Sequence, residues 1–215
     1  LNAVATHKLR SALTLLGILI GVFSIVVVMT AIRALQGSIE KEMAQLGSHT
    51  FQVQRWPAIR VDDGPGGAEK YFRRQRFYLP LARRLEVLAT RAKHVGVSAG
   101  VDSGEAYSRF AKSAPNAGLR GMSPGAFETS NLTVADGRPF AEPDLEAARL
   151  VTVLGSDLAA RLFPFGSPVG DWVQFKGVKY TVVGVFEAKG SIFGQSQDNF
   201  LAVPVTTIIN RYGRE

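Results

Sequence analysis

From Ser11 to Ile32 the sequence SALTLLGILIGVFSIVVVMTAI carries no charged side chain, and no other feature of the chain limits its fold as strongly. A helix rising about 1.5 Å per residue crosses a hydrocarbon core of about 30 Å with a run of this length. Charges bracket it: His7, Lys8 and Arg10 come before, Arg33, Glu40, Lys41 and Glu42 after. Lys8 and Arg10 at the N-terminal end place that end in the cytoplasm by the positive-inside rule, so the rest of the chain lies outside, although Arg33 weakens the asymmetry. A cleaved signal peptide has a shorter apolar core of about 7–15 residues and a small-residue cleavage site, and no clean A-x-A follows this run. A buried helix of a soluble protein rarely stays apolar for so long. The run is read as one membrane-spanning helix.

Gly17 and Gly21 lie four apart on one face of that helix, with Ser24 loosely extending the stripe. Such small residues let a second helix approach closely, although glycine is also common in membrane helices that pack against nothing. Beyond the span, Ile32, Leu35, Ile39, Met43 and Leu46 recur at steps of three and four. This is the stripe of an amphipathic stalk helix continuous with the membrane helix, with Gly47 as its stop.

The alternation of Phe51 and Val53 with Gln52 and Gln54 predicts a half-buried strand over His49–Arg55. Asp62 to Gly67 is a loop; it lacks the Lys-Ser/Thr and strand–turn–helix frame of a phosphate cradle. Leu81, Leu85 and Leu88 predict a helix over Leu79–Ala92 with Pro80 in its first turn. His94–Ala99 reads as a strand, making a βαβ-like opening. From Gly104 onward short strands and turns follow. Val151–Leu154 reads as a buried strand, Ser156 as the N-cap of a short helix reaching Phe163, and Trp172–Phe175 with Val178–Phe186 as a hairpin turning at Lys176-Gly177. Phe200–Val203 is a further strand, ended by Pro204.

The net charge of +7 and pI near 9.9 leave nucleic acid, anionic lipid or simple solubility open. No recognition-helix or zinc pattern supports nucleic acid. Arg55, Arg60, Lys70, Arg73, Arg74, Arg76, Arg83, Arg84, Arg91 and Lys93 crowd one stretch, among Tyr71, Phe72, Phe77 and Tyr78. Beside a membrane helix they suit lipid headgroups or an acidic partner, or form a solvated face around core aromatics. The chain has no cysteine, which removes disulfides and thiolate chemistry. His7, His49 and His94 share no metal-ligand spacing, Asp62 and Asp63 sit in a glycine-rich loop, and no serine occupies a G-x-S-x-G elbow. No catalytic, cofactor or metal residues are assigned.

The opening segment resembles ABC transporter permeases of the MacB/FtsX superfamily. The matching residues are Asn2, Lys8, Arg10, Ser11, Leu13, Thr14, Leu16, Gly17, Ile18, Ile20 and Gly21. Leu46-Gly47-Ser48, Gly137-Arg138-Pro139-Phe140, Val153-Leu154-Gly155, Leu162-Phe163 and Tyr180 to Val185 continue the likeness in order. The resemblance implies an α+β protein: one transmembrane helix with a periplasmic stalk, then a βαβ-type subdomain carrying an inserted, mainly β subdomain. The expected parts are a cytoplasmic segment over 1–10, the membrane helix over 11–32, the stalk over 33–47, the βαβ part over 48–100 and the mainly β part over 101–215. The resemblance further implies an inner-membrane protein, truncated here before a last βαβ unit and three more membrane helices. It implies partners too: membrane lipid, an ABC ATPase subunit or domain that binds the ATP, a second permease copy and a periplasmic adaptor. The function it implies is conversion of ATP hydrolysis into periplasmic movement for efflux or export. A ligand-sensing anchored domain, lipoprotein release and cell-division regulation are the alternatives.

Overall fold

The computed structural model describes residues 8–45, 50–55, 73–75, 77–192 and 194–213. The chain divides into two compact units, Leu1–Gln45 and Leu46–Glu215. The first is one uninterrupted helix, α1 (Lys8–Gln45). At about 1.5 Å per residue it is about 57 Å long, nearly twice a hydrocarbon core. The apolar run and the predicted stalk are therefore one rod within the described residues. Thr30 keeps its hydroxyl satisfied inside that rod by donating to the Val26 carbonyl at 2.7 Å, as an apolar surrounding demands.

In the second unit α2 (Leu79–Leu88) begins with Pro80 in its first turn, as predicted. It stops short of Ala92 because Ala89 turns out of the helical region at φ −81°, ψ 60°. The strands are β1 (Ser98–Gly104), β2 (Ala106–Tyr107), β3 (Ala117–Met122), β4 (Val134–Gly137), β5 (Val151–Leu154), β6 (Trp172–Phe175), β7 (Val178–Phe186), β8 (Ser191–Ile192), β9 (Gln195–Ser196) and β10 (Phe200–Pro204). The remaining helices are α3 (Pro124–Thr129), α4 (Glu142–Glu146), α5 (Ser156–Leu162) and α6 (Val205–Tyr212). Eight strands form one sheet in the order β1-β3-β10-β5-β7-β6-β2, while β4 pairs with β7, and β8 and β9 form a separate ribbon. The pairs β3–β10 and β5–β7 are parallel. β5 occupies one edge of β7, so β6 and β4 share the other, β6 on its N-terminal half and β4 on its C-terminal half.

The central strand β10 is buried on both faces, as a covered parallel neighbour requires. Leu201 and Val203 enter one cluster with Leu119, Leu154, Tyr180, Val182 and the inward residues of α5 and α6. Phe200 and Ala202 enter the other with Met122, Val153, Phe186, Phe140 and the α3 residues Ala126 and Phe127. Alternation along one strand thus feeds two helix-covered layers.

Two predicted strands differ. Residues 50–54 form no ladder, and Phe51 and Val53 are 83% and 59% exposed. Alternation supplies a face, but a strand also needs a neighbour, and none lies beside it among the described residues. Ser98 and Ala99 do join β1, whereas residues 94–97 do not. Val97 instead exchanges bonds with Ser123, donating to its hydroxyl and accepting from its backbone N–H. Gly96 and Gly125 permit that approach, since a Cβ on Gly125 would stand 2.3 Å from the Val95 carbonyl oxygen.

Candidate functional site: an apolar rod and an outer α+β domain

α1 carries the most conspicuous surface in the chain. Its large apolar residues from Leu13 to Ile32 are 46% to 66% exposed, and an 18-residue window within Ser11–Ala34 has mean hydropathy 2.8 with none of it buried. Contiguous apolar exposure on this scale marks a surface that water does not bathe. Its two sides differ. Leu15, Ile18, Leu19, Val22, Phe23 and Val26 share one bulky apolar face. Gly17, Gly21 and Ser24 fall on the opposite side at 3.6 residues per turn. A Cβ on Gly17 or Gly21 would meet nothing within 4 Å. Ile32 is exposed. Lys8, Arg10, Leu35, Ile39 and Met43 lie on the helix backbone with side chains outside the described set, and Leu46 lies outside the described residues.

In the outer domain the segment Gly137-Arg138-Pro139-Phe140 is a structural fastening. Gly137 adopts φ +78°, and the Arg138 N–H donates to the Val183 carbonyl at 2.8 Å. Gly184 faces this segment; a Cβ there would sit 2.6 Å from the Arg138 carbonyl oxygen. Phe140 packs on Phe127 with ring centroids 4.7 Å apart. The Arg138 side chain donates to Asp144 at 3.0 Å, Arg149 donates to its second oxygen at 3.2 Å, and the Ala141 N–H donates at 3.1 Å. Burial alone would raise the Asp144 carboxyl, but the bonds from Arg138, Ala141 and Arg149 together hold it below the usual carboxylate range.

The helix predicted after Val151–Leu154 is α5, with one correction. Its N-cap is Gly155, whose carbonyl accepts from Ala159 N–H at 2.9 Å, and Ser156 is its first helical residue. The cap position must be glycine because the Asp198 carbonyl oxygen would stand 2.1 Å from any Cβ there. The Asp198 side chain is itself buried and accepts from the N–H groups of Lys189 and Gly190. Burial lowers the Lys189 ammonium against the opposing pull of Asp198, and its Nζ donates to the Ser130 carbonyl at 2.6 Å. These buried polar groups each have structural partners. Among the described residues no three acidic, histidine or cysteine side chains gather as a metal site would require.

A family model described as "MacB-like periplasmic core domain" matches residues 11–215, so it spans the apolar rod and the whole outer sheet. The chain belongs to the MacB-like periplasmic core domain family. Among relatives of this MacB-like chain, the macrolide export ATP-binding/permease protein MacB of Bdellovibrio bacteriovorus is 32% identical over 99% of the chain. The MacB of Syntrophobacter fumaroxidans is 29% identical over 97%. The chain spans only 32% and 28% of those two relatives. Two solved structures share the fold, each with a TM-score of 0.53. The extracellular domain of the ABC-type transporter YknZ from Gram-positive bacteria is 25% identical, over 64% of this chain and 67% of that one. The periplasmic region of MacB from Actinobacillus actinomycetemcomitans is 20% identical, over 70% of this chain and 65% of that one. The chain thus combines a MacB-like periplasmic core domain of α+β fold with one N-terminal candidate transmembrane helix.

Proposed function

We propose that α1 anchors this core domain in the bacterial inner membrane with its N-terminus in the cytoplasm, and that the rod transmits movement between the two compartments. The observation that carries the reading is the extent of the family match, which runs from Ser11 through the apolar helix into the outer domain. Its physical support is the unbroken helix past the apolar span, since a continuous ladder of backbone bonds resists bending better than a jointed linker. ATP is bound and hydrolysed on another domain or subunit, and the motion serves efflux or export. Lys8 and Arg10 hold the N-terminal end in the cytoplasm through the positive-inside bias. Ile32, Leu35, Ile39, Met43 and Leu46 give the stalk its apolar stripe. Gly17 and Gly21 form the close-packing face, against a second copy or another membrane helix of the same permease. A periplasmic adaptor completes the assembly.

The test is a distance measurement. Spin labels on Glu187→Cys in two copies, in membranes with the ATP-binding part present, should report a shifted inter-copy distance when ATP and magnesium are added. An unchanged distance through active hydrolysis contradicts transmission by this rod. Gly17→Leu with Gly21→Leu should shorten the lifetime of the pair, read as lower energy transfer between labelled copies, and unaltered transfer removes the packing role.

A further inference from the structure

The two faces of the sheet are unequally covered. On the side of the second cluster, α3 and Phe140 lie over β5, β10 and the C-terminal end of β7. The inward residues of the other half, Ala106, Val173, Phe175 and Tyr180, all belong to the first cluster. Their alternate neighbours therefore point away from it. Register arranges those neighbours in a row. Lys112 lies opposite Tyr107, Tyr107 opposite Gln174, and Gln174 opposite Lys179. A second row sets Trp172 opposite Thr181. Directly opposed residues share a face, so these side chains form one surface. Lys112, Tyr107, Lys179 and Thr181 are exposed, and Gln174 and Trp172 half-buried.

Both ends of the row carry an exposed lysine, and the one carboxylate beside Tyr107 is that of Glu105. The Glu105 carboxylate takes the Tyr107 hydroxyl, and Asp171 is held by Arg109 at 2.6 Å. No carboxylate pairs with Lys112 or Lys179 among the described residues. The Lys179 ammonium lies over the Trp172 ring at 4.4 Å. A ring and an amide at the centre with lysines at both ends follow the anchor-and-rim anatomy of a protein interface. A bilayer-seeking face would show a band of Trp, Phe and Leu for insertion, and among these six residues Tyr107 is the one exposed large ring.

We propose that the open β2–β6–β7 face docks an acidic, extended segment of a partner protein. One carboxylate meets Lys112, another meets Lys179, and an apolar side chain between them rests on Tyr107. Three inter-strand steps separate the lysine backbones by about 14 Å. Two acidic residues four positions apart in an extended chain are about 13 Å apart, so that spacing fits the row. The inference stands on the sheet itself and holds wherever the rod is placed.

The test uses the whole chain in zwitterionic nanodiscs and two labelled peptides of one composition, Glu-Ser-Leu-Ser-Glu and Ser-Leu-Glu-Glu-Ser, followed by fluorescence anisotropy. The spaced peptide should bind about tenfold tighter than the adjacent one, and Lys112→Glu with Lys179→Glu should weaken it about tenfold or more. Lys93→Glu, outside the sheet, should leave it unchanged. Lys112→Gln and Lys179→Gln carry the same test should charge reversal disturb the circular dichroism. Equal loss with Lys93→Glu, indifference to spacing, absence of binding, or capture of anionic phosphatidylglycerol vesicles in place of the peptide would each overturn the proposal.

Discussion

Asp144 does at the residue scale what a covalent staple does elsewhere. One buried carboxylate collects Arg138 before it, Arg149 after it and the Ala141 N–H, tying the turn after β4 to the helix α4. Its folded pKa lies below the unfolded value. The stabilisation is therefore fully present above the ordinary carboxylate pKa and is lost as pH falls through the folded value, in the acid range below about pH 4–5. Asp144→Asn should cost about 1–3 kcal/mol at neutral pH and flatten the acid limb of a urea-denaturation series. An acid limb identical to the parent's would show that the pairing contributes nothing. Gly155→Ala should cost about 1–3 kcal/mol by overpacking against the Asp198 carbonyl, read by the same denaturation, and an unchanged midpoint would contradict the packing. Neither role was legible in sequence. Gly137 to Phe140 and Gly155 stood out as pieces of a family likeness, but Asp144 has no periodic signal, and the Asp198 contact at Gly155 joins residues distant along the chain.

At the scale of elements, local chemistry proved readable and long-range pairing did not. The hairpin β6–β7 forms with its predicted boundaries because Lys176 and Gly177 take φ of 45° and 81°, the pair of positive angles that a two-residue turn needs to match strand twist. Gly177→Ala should therefore lose about 1 kcal/mol, while Lys176→Asn, better suited to the left-handed region, should gain a few tenths by the same principle. The same urea series checks both, and a stable Gly177→Ala variant would show that the turn tolerates a side chain. The strand predicted over 49–55 has the right alternation yet no ladder among the described residues. Val97, at the end of the segment predicted as a strand, bonds to Ser123, which no pattern near it announces. Period-two alternation reports a face and says nothing of the neighbour that a strand must find.

For the whole molecule, the bilayer-length rod was the most legible part because its demand is one-dimensional: enough consecutive apolar residues, bracketed by charge. The sheet order was the least legible, since β10 inserts between β3 and β5 and thereby joins segments that the chain visits far apart. The helices on both faces of a domain read from sequence as mainly β follow from that insertion: a strand flanked on both sides and apolar on both faces must be covered twice. Everything proposed about transmission rests on one placement, the rod through the membrane with the sheet outside. The chain has no cysteine, so single-cysteine variants report that placement cleanly. A charged maleimide that does not cross the cytoplasmic membrane should label Glu187→Cys in intact cells and spare Lys8→Cys until the cells are broken. Labelling of Lys8→Cys with protection of Glu187→Cys, or equal labelling of both before lysis, would contradict it.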